Sequence, residues 1–176
     1  MDTHQLKFIL QELHFSSDMP PDVLEQLANE AALKVYSAGS VVFNEGSETH
    51  PNLYLIRNGR VALEMNAPNR GNLRILTLGP GEMIGWSALL GTGHMTASAV
   101  AVEDSEVVTV SAESLRQLCD SNHDFGYYIM RQMAAAISKR LVATRLQLLD
   151  LFADEPREIT IQETNQAGLQ RRRIKT

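Results

Sequence analysis

The sequence has few of the residues that build disulfides, zinc sites or iron–sulfur clusters. Its 176 residues include one cysteine, Cys119. One chain can therefore form no intramolecular disulfide, no cysteine-rich zinc site and no cysteine-ligated cluster. This composition fits a reducing compartment, and we expect a cytoplasmic protein. Cys119 lies at helical spacing among leucines, which indicates a small buried side chain rather than a reactive thiol.

The chain also lacks an excess of basic charge and a membrane-type hydrophobic run. Its formal net charge is −5, whereas nucleic-acid-binding surfaces are usually basic. Residues 83–102 contain no charged side chain, but Gly, Ser and Thr make this stretch too polar to cross a bilayer. The N-terminus has no apolar run of the secretory type. We expect no membrane span, and no DNA binding from this chain alone.

No catalytic motif is present, so the sequence predicts no enzyme. There is no nucleophile elbow, Walker loop or isolated carboxylate pair. A cupin-like metal enzyme is one alternative, but it needs clustered His and Glu ligands, and the histidines are scattered at positions 4, 14, 50, 94 and 123. A haem or aromatic-ligand sensor is another, because His94 and Met95 could supply axial ligands beside Trp86.

The spacing of apolar residues and turn residues predicts two short helices followed by many short strands. Leu6, Ile9, Leu10 and Leu13 share one helical face, and Pro20-Pro21 opens a second helix. Between residues 34 and 110, apolar runs alternate with turn residues, which is typical of a β-sandwich or β-roll. The dipeptide Asn58-Gly59 predicts a hairpin between its flanking strands. The candidate strands are 33–38, 40–45, 52–57, 59–66, 72–79, 95–103 and 105–110.

The C-terminal part predicts a capped helix after Ser111 and then a long helix over 123–153. Apolar residues recur in the long helix at alternating spacings of four and three, which is a heptad seam typical of paired helices. We predict a homodimer through this seam. Tyr127, Tyr128, Ile129 and Leu146 lie off the seam and are expected to cover the β-roll. The seam consists of Met130, Ala134, Ile137, Leu141, Thr144, Leu148 and Leu151.

The ordered series of glycines and strands resembles the cyclic-nucleotide-binding domain of CRP/FNR regulators and kinase regulatory subunits. The matching residues are Gly39, 42–46, 54–56, 58–59, 61, 78–85 and 105–110, and the resemblance covers about residues 20–152. It implies a mainly β fold with flanking helices: a double-stranded β-helix (β-roll or jelly roll) with N-terminal helices and a long C-terminal dimerisation helix. We predict one sensor domain over 1–152, including the dimer helix 123–152, with an extension or tail over 153–176.

The resemblance also implies a ligand site around a short helix from Gly85 to Leu90. Helix N-termini favour anions, and in this family this one faces the ligand phosphate. The implied ligand is a cyclic nucleotide, or another small anionic or aromatic molecule, and no further cofactor is expected. The implied ligand-binding residues are Leu63, Leu78, Gly85, Trp86, Ser87, Ala88, Met95, Thr96, Ala97, Arg140 and Thr144.

Two of these positions depart from the family pattern. Trp86 stands where a Glu receives the ribose, and Met95 stands where an Arg pairs with the phosphate. A charge-assisted hydrogen bond contributes about 1.5–3 kcal/mol, so losing both weakens binding on the order of a hundred-fold or more. Trp86 would fill the pocket or stack on a flat apolar ligand. Arg140 and Thr144 match positions that reach the phosphate and the purine, although the Thr144 hydroxyl could also bond back to its helix.

The sequence therefore predicts a sensor domain that transmits its ligand state through the dimer helix in signal transduction. Ligand binding would shift the population between two helix arrangements. The alternative is the sensory half of a CRP/FNR-type transcription regulator, whose helix-turn-helix is not found in this chain.

Overall fold

The computed structural model describes residues 2–47, 52–90 and 94–153, with side chains to residue 150. Antiparallel sheets with flanking helices confirm the predicted fold class, and the long helix has the predicted bounds. The elements are α1 (Thr3–Glu12), α2 (Pro21–Asn29), β1 (Ala31–Tyr36), β2 (Val41–Phe43), β3 (Asn52–Asn58), β4 (Val61–Ala67), β5 (Gly71–Leu78), β6 (Met83–Ile84), α3 (Trp86–Leu90), β7 (Ser98–Ala101), β8 (Ser105–Ser111), α4 (Ala112–Ser121) and α5 (His123–Ala153).

The strands form two four-stranded sheets. The first sheet has the order β1-β8-β3-β6 and the second has the order β2-β7-β4-β5. All pairings are antiparallel, and β8 lies between β1 and β3, with Val108 opposite both Leu33 and Leu55. Strands β4 and β5 pair as a hairpin, but the other neighbours in each sheet are distant in sequence, so the roll closes only when both ends of the β region meet.

The predicted hairpin at Asn58-Gly59 is wrong, although the turn itself exists. Gly59 has φ +81°, and its amide donates to the Asn58 side chain at 2.9 Å. The strands on either side do not pair, because β3 belongs to the first sheet and β4 to the second. A Cβ on Gly59 would lie 2.5 Å from the carbonyl oxygen of Asp104, so the glycine lets the chain cross between sheets beside β8. The turn signal was correct, but local sequence does not specify the partner strand.

The first sheet separates two hydrophobic clusters, because side chains alternate along its strands. On β3, Leu53 and Leu55 face one cluster, while Tyr54 and Ile56 face the other. The inner cluster lies between the sheets and comprises Tyr54, Ile56, Val61, Leu78, Ile84, Ala88, Met95, Ala99, Val107 and Ala112. The outer cluster lies under the helices and comprises Leu6, Ile9, Leu10, Leu13, Phe15, Met19, Val23, Leu24, Leu27, Ala28, Leu53, Leu55, Met83, Leu89, Val108, Val110, Leu115, Phe125, Ile129 and Met133.

The shorter helices are fixed by local capping and by their apolar faces. Asp2 and Gln5 form a capping box at the start of α1, and all four residues of its predicted apolar face are buried. Pro21 occupies the first turn of α2, where a missing N–H is tolerated. The Ser111 side chain accepts from the amide of Ser114, which confirms the predicted start of α4.

Helix α5 covers the first sheet with a face that differs from the predicted one. Phe125, Ile129 and Met133 are buried at a spacing of four residues and belong to the outer cluster. Of the four residues predicted to cover the roll, Ile129 and Tyr128 pack with the outer cluster, whereas Tyr127 and Leu146 are 62% and 57% exposed. The heptad pattern identified which residues lie off the seam, but it could not predict which of them are buried. No helix among the described residues is long and apolar enough to span a membrane.

The chain divides into a compact unit over residues 1–140 and a second unit over 141–176. The predicted boundary at residue 152 stays a prediction, and residues 154–176 of the predicted tail lie outside the described part.

Candidate functional site

The candidate site centres on residues 83–90, which we call the cassette. The chain leaves strand β6, turns at Gly85 and enters α3. Gly85 has φ +82°, and a Cβ there would lie 2.5 Å from the backbone oxygen of Asn52 and 2.9 Å from the ring of Tyr54. Only glycine combines this backbone conformation with so close an approach. Gly85 therefore fixes the position of α3 against strand β3.

The short helix α3 presents its side chains to both clusters. Trp86 and Leu89, three residues apart, pack with the outer cluster, whereas Ala88 belongs to the inner cluster. Residues three apart share one helix face, so Trp86 follows Leu89 away from the space between the sheets. The indole was expected to fill the ligand pocket, but in the structure it packs with the outer cluster instead. Ser87 is buried, with 6% of its surface exposed.

Met95 occupies the position where the family pattern has an arginine. Its side chain is 3% exposed and belongs to the inner cluster. Its sulfur lies 4.0 Å from the Ser87 hydroxyl oxygen, at the limit of a weak hydrogen bond. The main chain is held separately: the amide of Gly46 donates to the Met95 carbonyl at 2.7 Å. This side of the cassette is therefore lined by a thioether rather than by a guanidinium.

The remaining predicted site residues divide into two groups. Leu78 is buried in the inner cluster and Leu63 is half-buried against it, together with Ala88 and Met95. Thr96 is exposed and Ala97 is half-buried. The structure thus gathers four of the predicted residues around the inner cluster and leaves Thr96 at the surface.

Arg140 contacts the cassette from α5. Its Nη2 donates to the carbonyl oxygen of Met83 at 2.6 Å. Burial lowers the pKa of Arg140, while the nearby Glu82 carboxylate opposes that shift. Arginine nevertheless remains a cation in proteins. Thr144, predicted to reach the purine, lies on the exposed part of α5 in the second unit.

Two features of the site were missed by the sequence reasoning. Tyr54 borders Gly85 and packs against Phe43 with the ring centres 5.1 Å apart and the rings tilted by 35°. Burial raises the pKa of its phenol. Its alternation with Leu53 and Leu55 was the available signal. Arg116 donates to the carbonyl oxygen of Ala88, and no sequence pattern indicates a side-chain bond to a distant main chain.

Metal ligands are not gathered at the cassette. Within the residues that the structure describes, no group of three or more His, Cys, Asp or Glu side chains could hold a metal ion. His94 is exposed, while the neighbouring Met95 side chain points into the inner cluster. The pair therefore does not present two ligands to one site.

Comparison with known proteins agrees with this geometry. The sequence profile of the cyclic nucleotide-binding domain matches residues 33–122, just over half of the chain. The chain belongs to the cyclic nucleotide-binding domain family. Its matched segment runs from β1 through the cassette to the end of α4, so the family assignment covers both sheets and every predicted ligand residue except Arg140 and Thr144.

Relatives of this cyclic nucleotide-binding domain include CRP-type regulators. The chain is 29% identical over 139 residues to the cyclic AMP receptor protein of Thermus thermophilus, covering 79% of this chain and 62% of that protein. It is 26% identical over 155 residues to the CRP-like cAMP-activated global transcriptional regulator of Mycobacterium tuberculosis, covering 88% and 67%. The chain thus spans about two thirds of the length of these relatives.

A solved structure supports the fold. The sensor domain of the transcriptional regulator DNR from Pseudomonas aeruginosa superposes with a TM-score of 0.63 at 18% identity, covering 79% of this chain and 93% of that one. The two domains therefore share the same fold.

Proposed function

We propose that this chain is a regulatory module that binds a small ligand at the cassette and reports its presence through helix α5. The observation that carries the proposal is the Gly85 turn, which fixes α3 on β3 with Ala88 facing the inner cluster. Binding and transmission require no bond making in the ligand, so the module acts by regulation rather than by catalysis.

A cyclic nucleotide is the first candidate ligand, and we propose that it binds weakly. Relatives of this chain are named for cyclic AMP. The Met95 thioether cannot replace a bidentate guanidinium opposite a phosphate, and Trp86 cannot accept from a ribose hydroxyl. Because each missing charge-assisted bond contributes about 1.5–3 kcal/mol, affinity is expected to fall on the order of a hundred-fold below that of an intact site. The apolar inner cluster favours a flat or less charged ligand.

The module works as a homodimer in this proposal. Four apolar seam residues on α5 are exposed in the single chain: Met130 at 37%, Leu141 at 49%, Leu148 at 54%, and Ala134. Apolar side chains repeated along one stripe of a helix are stabilised when a second helix covers them. Ligand binding would then shift the dimer between helix arrangements, provided that the ligand favours one of them.

The decisive experiment compares the natural protein with a Met95→Arg variant by calorimetric titration with cAMP and cGMP. A guanidinium restored at position 95 could pair with the phosphate, so cAMP should bind at least ten-fold more tightly than to the natural protein. Met95→Leu is the matched control, because it keeps an apolar side chain of similar volume and should leave affinity unchanged.

The outcomes separate the ligand classes. Binding of cAMP to the natural protein at micromolar levels or better would show that Met95 and Trp86 are tolerated. If neither the natural protein nor Met95→Arg binds either nucleotide at millimolar concentration, while thermal unfolding shows both to be folded, the cyclic-nucleotide proposal is wrong.

A second candidate is the sensory half of a transcription regulator. It is favoured by one observation: the relative from Mycobacterium tuberculosis is named a transcriptional regulator and extends beyond the matched region. The net charge of the chain is −5, whereas nucleic-acid-binding surfaces are usually basic. Fluorescence anisotropy with random duplex DNA at low salt tests this chain directly, and we expect no binding without a further domain.

A further inference from the structure

Two arginines, one on α4 and one on α5, donate hydrogen bonds to the main chain of the cassette. Arg140 on α5 donates from Nη2 to the Met83 carbonyl oxygen at 2.6 Å. Arg116 on α4 donates from Nη2 to the Ala88 carbonyl oxygen. The two acceptors lie on opposite sides of Gly85, the residue where the cassette turns. The main chain of the cassette is therefore held by two different helices.

Each acceptor is a carbonyl at the end of a regular element. Met83 lies in the two-residue edge strand β6, which pairs on one side with β3. Ala88 lies in the five-residue helix α3, and the last carbonyls of a helix have no partner within it. A cation near a helix C-terminus is also favoured by the helix dipole. Both arginines thus bind oxygens that need a donor from elsewhere.

Both guanidinium groups have an acidic residue nearby, and that of Arg116 is paired with it directly. Arg116 Nη1 lies 3.2 Å from Glu113 Oε2, and the other oxygen of Glu113 accepts from Gln117 at 2.9 Å. Arg140 lies near the Glu82 carboxylate, which accepts from the Gly79 amide at 2.9 Å. An arginine whose fork is fixed by a carboxylate loses less freedom when it forms a further bond.

We propose that Arg116 and Arg140 are positioning residues that couple the cassette to α4 and α5. When α4 and α5 keep their positions, a movement of α3 relative to β6 stretches or breaks one of these bonds, so the cassette and the two helices are coupled. This proposal deepens the proposed function, because the cassette is the ligand site named there. The coupling itself exists in the ligand-free protein and can be measured without any ligand.

The test is amide hydrogen exchange across residues 83–90 in the full chain without ligand. Arg116→Ala and Arg140→Ala should each speed exchange there by about ten-fold or more, since each removes a charge-assisted bond. Arg116→Lys and Arg140→Lys keep the charge but lose the fork, and should give intermediate rates. Arg60→Ala is the matched control, because Arg60 pairs with Glu103 at the surface and should leave exchange at the cassette unchanged.

A second readout uses Trp86, the only tryptophan in the chain and the first residue of α3. Acrylamide should quench its fluorescence more strongly in the two alanine variants than in the natural protein. Cassette exchange at the natural rate in both alanine variants would overturn the proposal. So would acceleration spread equally over all strands, because it would reflect a general loss of stability. A cAMP titration that shows no binding would remove the ligand assignment while leaving the exchange result intact.

Discussion

At the scale of single residues, the site depends on a few positions whose backbone and side chain have separate tasks. Gly85 sets the path of the chain, and Met95 sets the chemistry between the sheets. Comparison with the family pattern singled out both positions from the sequence. It could not tell that Trp86 packs with the outer cluster, because the direction of a side chain on a short helix depends on how that helix is anchored.

Gly85→Ala should destabilise the protein much more than Gly71→Ala. Both glycines have positive φ, so each alanine carries a backbone penalty of about 1–2 kcal/mol. A Cβ at Gly71 meets no atom within 4 Å, whereas one at Gly85 lies 2.5 Å from the Asn52 oxygen. The extra overlap should add about 1–3 kcal/mol. Urea unfolding midpoints measure the difference, and equal midpoints would contradict the close approach.

At the scale of elements, the helices were predicted better than the strand connections. The apolar spacing of α1 and the bounds of α5 follow from local periodicity, which sequence records directly. The hairpin prediction at Gly59 failed because strand pairing depends on contacts between distant parts of the chain, which local sequence does not record. The two-residue strand β6 was not predicted, since a run that short carries no periodicity. The Arg116 bond to Ala88 could not be predicted either, because it joins residues 28 apart and no local pattern records such a contact.

Leu141→Glu should weaken self-association of the protein, whereas Val142→Glu should not. The two side chains are adjacent and almost equally exposed, at 49% and 51%. Only Leu141 lies on the predicted seam, so only there would a buried carboxylate face the partner helix. We expect the dissociation constant to rise at least ten-fold, because burying an unpaired charge costs more than 1.4 kcal/mol. Sedimentation equilibrium measures it, and equal effects of the two variants would refute the seam.

At the scale of the whole compact unit, the first sheet is shared by two cores. Its strands contribute Val107 to the inner cluster and Val108 to the outer one, and both side chains are fully buried. Neither core can lose its packing without exposing one face of the same strands. Residues 1–140 are therefore expected to behave as one cooperative unit.

This sharing predicts a single unfolding transition for the sheets and the outer core. Far-UV circular dichroism follows the strands and helices, and Trp86 fluorescence follows the outer cluster. The two signals should give the same urea midpoint at one protein concentration. A fluorescence midpoint clearly below that of circular dichroism would mean that the helical layer detaches first.

The backbone bonds at Met95 have a consequence for how such domains diversify. The Gly46 amide donates to the Met95 carbonyl, and the Met95 amide donates to the Ser47 carbonyl, so the main-chain path there is held by bonds that any residue except proline can form. During evolution the residue at this position can change, and with it the molecule that is recognised, while the glycine turns around it stay the same. Natural variation at position 95 should then follow the chemistry of what each organism senses rather than the demands of folding.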